Sequence, residues 1–429
     1  MKIVFIQVGI TGARSTDAME PLAFAILAGL TPKHHTIEFY DDRIEAVPKN
    51  LDCDLVAIST GTFTARRAYQ LAALYKMQNI KVVLGGYHPT FMPQEVLEYA
   101  DSVILGDAEN TWLNVLNDLE KGMLKSIYEA HEKPDISNVF FDESIFLGKK
   151  YSKITPVQYS RGCKFSCEFC CISAFYGSSI RYRDIGYVVD EIIRKKAKFV
   201  FFVDDNLFID RNHTIAFLKA LIPLKMKWVC QISIDIAADD ELLQLMVQSG
   251  CICVLIGFET LNDDNLKQMK KAVNIAHINY DEVIKKLQSY GLMIYGTFIL
   301  GYDMDTVDTF DTCLEFALKS QMILANFNPL MPMVGTKLYD RFKAEGRLIH
   351  DKWWLDPNYQ YGDAMFIPKQ MTPQQLKEGC YRIRSSFNTY SNIFKRGLYG
   401  HANREHLAIF LAANFINRRE IIQKQGRLL

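Results

Sequence analysis

Short apolar runs alternate with helical patterns along the first part of the chain. Runs such as KIVFIQV (2–8), DLVAIST (54–60) and KVVLGG (81–86) are apolar on both faces, and the segments between them repeat apolar residues at helical spacing. Such strands, separated by helices, indicate a parallel sheet that is covered by helices on both sides. The pattern therefore predicts an α/β, Rossmann-like doubly wound domain over residues 1–130, with ligands bound beyond the carboxyl ends of its strands.

A second alternating series follows an irregular stretch, for which we predict a linker at 131–153. Six apolar runs, from ITPVQYS (154–160) to ILANFNPLMP (323–332), are spaced by helical segments. Six such units predict a partial (β/α)6 barrel over 154–345, whose chemistry belongs at the carboxyl ends of the strands. Residues 346–429 predict a mostly helical extension, in which Thr372, Pro373 and Gln375 form the capping pattern of a helix start.

Composition narrows the class of protein. The chain has 429 residues, 49% of them apolar, and its formal net charge is zero, which argues against nucleic acid as its main partner. The start of the chain does not resemble a secretory signal, and no apolar run reaches the length of a membrane span. We therefore expect a cytoplasmic protein whose ten cysteines are thiols or metal ligands rather than disulfides.

The segment RGCKFSCEFCC (161–171) carries the strongest chemical signal. Cys163, Cys167 and Cys170 have the spacing C-x3-C-x2-C directly after the first barrel strand. Three thiolates on one short loop can hold three irons of a [4Fe–4S] cluster and leave the fourth iron open. A structural zinc ion wants four ligands, and Cys171 is too close to Cys170 to converge on the same ion. The spacing favours a cluster, while zinc and chance grouping stay open as alternatives.

The cysteine spacing resembles that of the radical S-adenosylmethionine (SAM) superfamily, as do several later strand ends. VFFVDDN (200–206), QISID (231–235), IGFET (256–260), GTFILGYD (296–303) and PLMPMVGTKLYD (329–340) are similar to that superfamily's motifs. The resemblance implies that an open iron chelates SAM. The SAM-binding residues that it implies are Phe169, Asp204, Asp205, Asn206, Ser233, Asp235 and Glu259. For Asp204 and Asp205, a role as helix cap is the alternative.

The α/β domain in front of the barrel is similar to the cobalamin (B12)-binding subfamily of these enzymes. LVAISTGTF, VVLGGYHPTFMP and VILGDAENTW carry that likeness. The residues that it implies for cobalamin lie at strand ends: Thr11, Ser59, Thr60, Thr62, Gly85, Gly86, Tyr87, His88, Gly106 and Glu109. Ordinary strand-to-helix turns are the alternative for these residues. The motif D-x-H-x-x-G, which would supply a histidine ligand to cobalt, is absent.

The resemblance implies an enzyme that cleaves SAM reductively and methylates an unactivated carbon of a metabolite, lipid or natural-product intermediate, with cobalamin as the methyl carrier. A radical enzyme without cobalamin, catalysing cyclisation, carbon–carbon bond formation or transfer of another part of SAM, is the first alternative. A non-catalytic zinc- or cluster-bearing binding protein is the second. We expect a small-molecule or lipid substrate and an electron donor such as flavodoxin or ferredoxin. For the apolar terminal helix, packing on the barrel and peripheral contact with a membrane both stay open.

Overall fold

The structure, a computed structural model, describes residues 1–10, 15, 17–271, 274, 279–360 and 362–424. Its first unit is a six-stranded parallel sheet in the order β2-β1-β3-β4-β5-β6. The strands are β1 (Lys2–Gln7), β2 (Thr36–Asp41), β3 (Leu55–Ser59), β4 (Lys81–Gly85), β5 (Ser102–Leu105) and β6 (Ile127–Glu129). The helices are α1 (Leu22–Leu30), α2 (Ala65–Lys76), α3 (Tyr87–Phe91), α4 (Pro93–Leu97) and α5 (Trp112–Glu120).

Both faces of this first sheet are covered because its strands are apolar at successive positions. Val4 and Ile6 of β1 belong to the core that includes α2, whereas Ile3 and Phe5 belong to the core that includes α1 and α5. The strand order reverses between β1 and β3, which creates a crevice at the carboxyl ends of the strands. The predicted doubly wound α/β unit is confirmed.

The second unit is another six-stranded parallel sheet, in the order β14-β13-β12-β11-β10-β7, with a two-stranded ribbon, β8-β9, at the end of β7. Its strands are β7 (Thr155–Val157), β8 (Ser160–Arg161), β9 (Arg181–Tyr182), β10 (Phe199–Phe202), β11 (Lys227–Ile232), β12 (Cys251–Glu259), β13 (Met293–Leu300) and β14 (Leu324–Pro329). The helices are α6 (Cys171–Tyr176), α7 (Ile185–Arg194), α8 (Arg211–Leu221), α9 (Asp240–Gln248), α10 (Asp263–Gln268), α11 (Tyr280–Ser289), α12 (Thr309–Lys319) and α13 (Lys337–Ala344). All six predicted barrel strands are present.

The C-terminal part is helical, as its pattern predicts. It contains α14 (Pro373–Phe387), α15 (Tyr390–Tyr399), α16 (His401–Glu405) and α17 (Leu407–Lys424). The helix α14 starts with the predicted capping box between Thr372 and Gln375. The buried Arg396 of α15 donates to the carbonyl oxygens of Met322 and Ile323, which precede β14. These helices therefore close the amino-terminal end of the second sheet. No helix in the described part of the chain has the length and apolar character needed to cross a membrane.

One short strand lies where the sequence pattern indicates irregular structure. Ile127–Glu129 form β6, which pairs with β5 at the edge of the first sheet. Only Tyr128 of these three residues is buried, and its hydroxyl donates to Asp118. A three-residue edge strand with exposed flanks has no apolar run, which explains why the pattern does not reveal it.

The two sheets face each other through the carboxyl ends of their strands. The Tyr87 hydroxyl, just after β4, donates to the Val334 carbonyl oxygen beyond β14 at 2.7 Å. Arg161 of β8 pairs with Asp107 and Glu109, which follow β5. Trp353 and Trp354 from the C-terminal part join the apolar core of the first sheet. The edge at which parallel sheets bind ligands is thus shared by both units.

A buried carboxylate helps to join the first sheet to the C-terminal part. Glu95 of α4 accepts hydrogen bonds from the Tyr69 hydroxyl and the Trp354 indole, both at 2.8 Å, and lies 3.0 Å from the Lys352 ammonium. Burial opposes ionisation of Glu95, but hydrogen bonds from His88, Trp354 and Lys352 outweigh it and lower its pKa to about 2. The group therefore stays charged in the folded protein well below neutral pH.

We predict that Glu95→Gln lowers the free energy of unfolding by about 1.5–3 kcal/mol at pH 7, because it removes charge-assisted hydrogen bonds from a buried site. Because folding lowers the pKa of Glu95, its full contribution to stability is present above the ordinary pKa of 4.5. That contribution is lost as the pH falls toward the folded-state pKa of about 2. Urea unfolding at several pH values tests this. Glu98→Gln, at an exposed position next to α4, is the matched control and should unfold like the original chain. Equal stability of the two variants would contradict the prediction.

Candidate active site between the two sheets

The three motif cysteines lie on a loop, residues 162–170, that we name the cysteine loop. It begins at Gly162 with a φ of 102°, and a Cβ there would lie 2.0 Å from the Ser179 carbonyl oxygen, so only glycine fits. The Gly162 N–H donates to an Asp205 oxygen at 2.8 Å. The loop ends where Cys170 becomes the N-cap of α6. Cys163, Cys167 and Cys170 are each partly buried.

Glu168 ties the middle of the cysteine loop to the second sheet. One of its oxygens accepts from the Arg341 guanidinium of α13 at 2.7 Å, and the other accepts from the Tyr302 hydroxyl just after β13. Its backbone bonds to the Met269 carbonyl oxygen and the Leu338 N–H. Glu168 is 8% exposed, so these contacts are shielded from water. The loop is held by protein contacts on both sides of Cys167.

The spacing of the sulfur atoms distinguishes between the metal centres that the motif allows. Among the described residues, the three loop cysteines do not form a group whose sulfur atoms all lie within 4.8 Å of one another. One tetrahedral zinc ion with bonds of about 2.3 Å would bring its thiolates to about 3.8 Å. The wider arrangement favours an iron–sulfur cluster, whose irons each bind one thiolate. Burial raises the pKa of Cys167 to about 11, so an acidic metal centre is needed to keep it a thiolate.

Lys271 and Glu259 form a buried ion pair beside the cysteine loop. The Lys271 ammonium lies 2.7 Å from a Glu259 oxygen. Burial disfavours the charged lysine, but the Glu259 carboxylate raises its pKa above the ordinary value. Glu259 ends β12 in a left-handed conformation, with a φ of 62°. A non-glycine residue in this conformation is strained and is typical of a functional position.

Asp204, Asn206 and Ser233 are further strand-end residues for which the resemblance implies SAM contacts, and they make different hydrogen bonds. Asp204 is 2% exposed and accepts from the Tyr159 N–H at 3.1 Å and from Ser160, so it holds the turn between β7 and β8. Burial raises its pKa to about 7. Asn206 and Ser233 are joined by a 3.0 Å hydrogen bond across β10 and β11, next to the cysteine loop.

Two of the implied SAM contacts differ in exposure. Phe169 is partly buried and packs against the core of the second sheet. Asp235 is exposed on a short 3₁₀ turn after β11. Apart from Phe169, which stands in the cysteine loop itself, these positions lie at the carboxyl ends of strands around the loop. Their role as SAM contacts remains a prediction.

A cavity of about 340 Å³ opens between the carboxyl edge of the first sheet and α6. Six of the residues for which we expected cobalamin contacts line it, namely Ser59, Gly85, Gly86, Tyr87, Gly106 and Glu109. Its inner part is an apolar slot between α1 and α5, while Asp107, Gln158 and Arg161 form a polar wall toward the second sheet. The volume is in the range of small-molecule sites.

Three of the remaining four predicted cobalamin residues are not on this cavity wall. The Thr60 hydroxyl bonds within its own turn, and Thr62 is fully buried with a hydroxyl that has no partner among the described residues. His88 is fully buried, with its Nε2 2.9 Å from the Tyr69 hydroxyl and 3.3 Å from Glu95. It therefore belongs to the Glu95 network. Thr11 lies outside the described residues.

The cavity lining offers both apolar surface and polar groups, which suit the apolar and amide parts of cobalamin. A Cβ on Gly106 would point into open space, and Gly86, with a φ of 106°, is packed so closely on the Thr60 carbonyl oxygen that any side chain would clash. Gly86 is therefore required by packing, whereas the missing side chain of Gly106 lets a ligand approach the end of β5. The Nε atom of Arg161 is buried without a partner in the described part of the chain, which leaves a donor beside the cavity.

Comparison with known proteins agrees with this geometry. The family model of the radical SAM superfamily matches residues 157–317, and that of the B12 binding domain matches residues 10–116. The bacteriochlorophyllide d C-12(1)-methyltransferase of Chlorobaculum tepidum is 32% identical over 390 residues, which cover 88% of this chain and 84% of that protein. The chain belongs to the radical SAM superfamily, in the group with a B12-binding domain. The predicted radical SAM methyltransferase class, with a [4Fe–4S] cluster, SAM and cobalamin, is confirmed at the level of the family.

Two further similarities extend the family assignment. The bacteriochlorophyllide d C-8(2)-methyltransferase of Chlorobaculum tepidum is 28% identical over 77% of this chain and 78% of that protein. The structure of the cobalamin-dependent SAM radical enzyme OxsB, with aqua-cobalamin and SAM bound, superimposes with a TM-score of 0.68 over 97% of this chain and 72% of that one. At 13% identity, that likeness concerns the fold.

Glu168, Lys271 and Arg341 are the site residues that the sequence reasoning missed. Glu168 stands inside the cysteine motif, but the spacing of cysteines carries no information about the residues between them. Arg341 lies far along the chain from the loop and contacts it only in the folded protein, whereas Lys271 interacts with the loop cysteines electrostatically. The sequence contains one indirect signal for Lys271. Its partner Glu259 ends an apolar strand, where a buried carboxylate needs a polar partner.

We predict that alanine at Cys163, Cys167 or Cys170 abolishes cluster binding, because each variant leaves an iron without its thiolate. Anaerobic reconstitution followed by iron and sulfide analysis measures this. Cys171→Ala is the matched control, since the Cys171 thiol lies within hydrogen-bond reach of the Tyr87 hydroxyl. That variant should retain about four irons per chain. Loss of the cluster from Cys171→Ala, or its full retention by any of the other three variants, would show that the ligand set is wrong.

Proposed function

We propose that this protein transfers a methyl group to an unactivated carbon of a large, apolar metabolite of the bacteriochlorophyllide class. The observation that carries the proposal is the 32% identity to a bacteriochlorophyllide methyltransferase over 88% of this chain. A second bacteriochlorophyllide methyltransferase, 28% identical, supports the same class of substrate.

The chain's own residues divide the chemistry between the two sheets. When bound, the cluster and SAM supply the radical that removes a hydrogen atom from carbon, and cobalamin supplies the methyl group. Cys163, Cys167 and Cys170 would hold the cluster and leave one iron open. Asn206, Ser233 and the Lys271–Glu259 pair would orient SAM beside it. The cavity above α6 would hold cobalamin, so that both cofactors face the same space.

An aromatic wall at the junction of the two units suits an apolar ring system. Tyr87 and Phe91 lie 4.9 Å apart by ring centroids, and Phe175 of α6 lies 6.1 Å from Tyr87 and 6.4 Å from Phe91. Aromatic side chains offer a large contact area to flat ligands and exclude water from reactive intermediates. We infer that the substrate approaches along this wall.

The test uses protein reconstituted with iron, sulfide and hydroxocobalamin without oxygen, a chemical reductant and SAM with a deuterated methyl group. We predict that bacteriochlorophyllide d yields a product carrying the deuterated methyl group, together with 5′-deoxyadenosine, because hydrogen removal and methyl transfer each consume one SAM. Mass spectrometry measures both. A small, zwitterionic amino acid such as tryptophan is the control substrate and should not be methylated.

Two outcomes would contradict the proposal in different ways. Formation of 5′-deoxyadenosine without deuterium transfer, in protein that binds no hydroxocobalamin, would favour a radical reaction other than methylation. Methylation of the amino acid but not of the tetrapyrrole would retain the enzyme class and overturn the substrate class. An electron donor such as flavodoxin or ferredoxin, which replaces the chemical reductant in the cell, remains part of this proposal.

We also propose that the C-terminal helices contact an anionic membrane surface. Exposed apolar side chains concentrate there: of the twenty-two large exposed ones in the described part of the chain, eight lie between residues 390 and 422. In α15, Tyr390, Phe394 and Leu398 are exposed and recur every four residues, so they form a stripe beside the face that carries the buried Ile393 and Arg396. A surface of this size without a cover is typical of an interaction site.

Charge favours a membrane over a second copy of the chain as the cover. Lys395, Arg404 and Arg419 of the C-terminal helices are exposed, and so is Glu405. Basic residues around an apolar helix face attract anionic lipids, whereas two copies would bring like charges together. Since α15 packs at the amino-terminal end of the second sheet, this contact would anchor the protein with its active-site edge turned away.

We predict that the protein sediments with vesicles of phosphatidylcholine and phosphatidylglycerol, and that Phe394→Ser with Leu398→Ser reduces the bound fraction roughly tenfold, because apolar area is lost from the contact. Phe140→Ser with Leu147→Ser removes two similarly exposed side chains elsewhere and is the control. Absence of the original protein from the vesicle pellet, or a stable dimer in solution that the first variant disrupts, would overturn this anchoring role.

A further inference from the structure

We propose that Arg161 is a positioning residue that sets the cysteine loop against the cobalamin cavity. The proposal rests on the assigned cofactors and adds a role that neither the motif nor the family comparison gives to this side chain. Arg161 ends β8 and directly precedes Gly162 and Cys163 in the chain. It is also part of the polar wall of the cavity. A single residue thus touches both cofactor sites.

Arg161 is held by acids that belong to the opposite sheet. Its Nη1 lies 3.0 Å from an Asp107 oxygen and 2.7 Å from a Glu109 oxygen, and its Nη2 donates to Gln158 at 3.1 Å. Arg181, its neighbour in the β8-β9 ribbon, lies 2.7 Å from the other Asp107 oxygen. The group contains two arginines and two carboxylates, so its formal charge balances.

The four side chains are between 7% and 13% exposed, so the network is nearly removed from water. Buried ion pairs add little net stability, because the loss of hydration offsets their attraction. They are sensitive to geometry, however, since a displaced partner leaves a buried charge without compensation. A network of this kind at a junction therefore fixes the relative position of its two sides more than it strengthens their contact.

The backbone transmits the position of Arg161 to the first cysteine. Gly162 cannot shift freely, because its Cα packs against the Ser179 carbonyl oxygen and its N–H is held by Asp205. On the cavity side, Arg161 Nε is buried and has no partner among the described residues. An unpaired buried donor is costly, and a neutral acceptor such as an amide carbonyl oxygen on a ligand in the cavity would satisfy it.

The experiment compares cluster-reconstituted Arg161→Gln with the original protein in two measurements. Titration with hydroxocobalamin gives the affinity, and electron paramagnetic resonance gives the magnetic coupling between the reduced cluster and Co(II) cobalamin at saturation. We expect an affinity at least roughly tenfold weaker, equivalent to about 1.4 kcal/mol, and a weaker or heterogeneous coupling, with iron and sulfide contents unchanged.

Matched variants separate positioning from general loss of stability. Arg396→Gln removes another buried arginine, at the far end of the second sheet, and should leave affinity and coupling unchanged even if the protein becomes less stable. Arg194→Gln, in an exposed pair with Glu143, is the surface control. Glu109→Gln should weaken affinity, and combining it with Arg161→Gln should cost no more than Arg161→Gln alone, because both changes break one contact.

The other possible results also support or overturn the positioning role of Arg161. If Arg161→Gln does not fold, Arg161→Lys should fold and show a smaller loss of affinity, since it retains the charge but not the planar contacts with both acids. Unchanged affinity and coupling, additive effects of the two single variants, or an equal loss in Arg396→Gln would overturn the positioning role. If the original protein binds no hydroxocobalamin, both the proposed methyl transfer and the positioning role of Arg161 fail. If the original protein and Arg161→Gln bind it equally well, only the positioning role fails.

Discussion

The site depends on one constraint, which is that two parallel sheets present the carboxyl ends of their strands to each other. Each sheet alone offers a ligand edge of the ordinary kind, a crevice beyond β1 and β3 in the first and the mouth of a partial barrel in the second. Facing each other, they enclose a space that neither could form. A reaction that needs a radical from one cofactor and a methyl group from another requires such a shared space, because the intermediate must meet both before it meets water.

Two kinds of contact hold the sheets in this arrangement. Apolar packing contributes stability, and buried ion pairs define the relative position of the sheets. Apolar packing of Trp353 and Trp354 on the first sheet removes area from water and so supplies affinity between the parts. The buried ion pairs of Arg161 supply little net stability but penalise displacement. Apolar contact is tolerant of small shifts, whereas ion pairs at short distance are not. Together, these contacts give a stable junction in which the two units have a defined relative position.

Residues whose role depends on local pattern were predictable from the sequence, and residues whose role depends on distant contacts were not. The apolar runs of β1, β3 and β4 predict strands because each is buried on both faces, and the cysteine spacing predicts a metal-binding loop because its geometry is local. His88 follows a glycine-rich strand end and so resembles a ligand-binding residue. In the folded protein, however, it is buried and lies next to Glu95. The partnership of Glu168 with Arg341, 173 positions later, has no local signature.

The cysteine loop illustrates why a vacant iron position can survive in a protein with a fourth cysteine next to the motif. Gly162 is anchored by Asp205, and Glu168 is anchored by Tyr302 and Arg341, so the loop has little freedom to rearrange around a metal. Cys171 opens α6, and its thiol is within hydrogen-bond reach of the Tyr87 hydroxyl on the first sheet. As the first residue of α6, Cys171 belongs to the helix that follows the loop, whereas Cys163 and Cys167 belong to the loop itself. The folds of the loop and of this helix together therefore govern which thiols can share one metal centre.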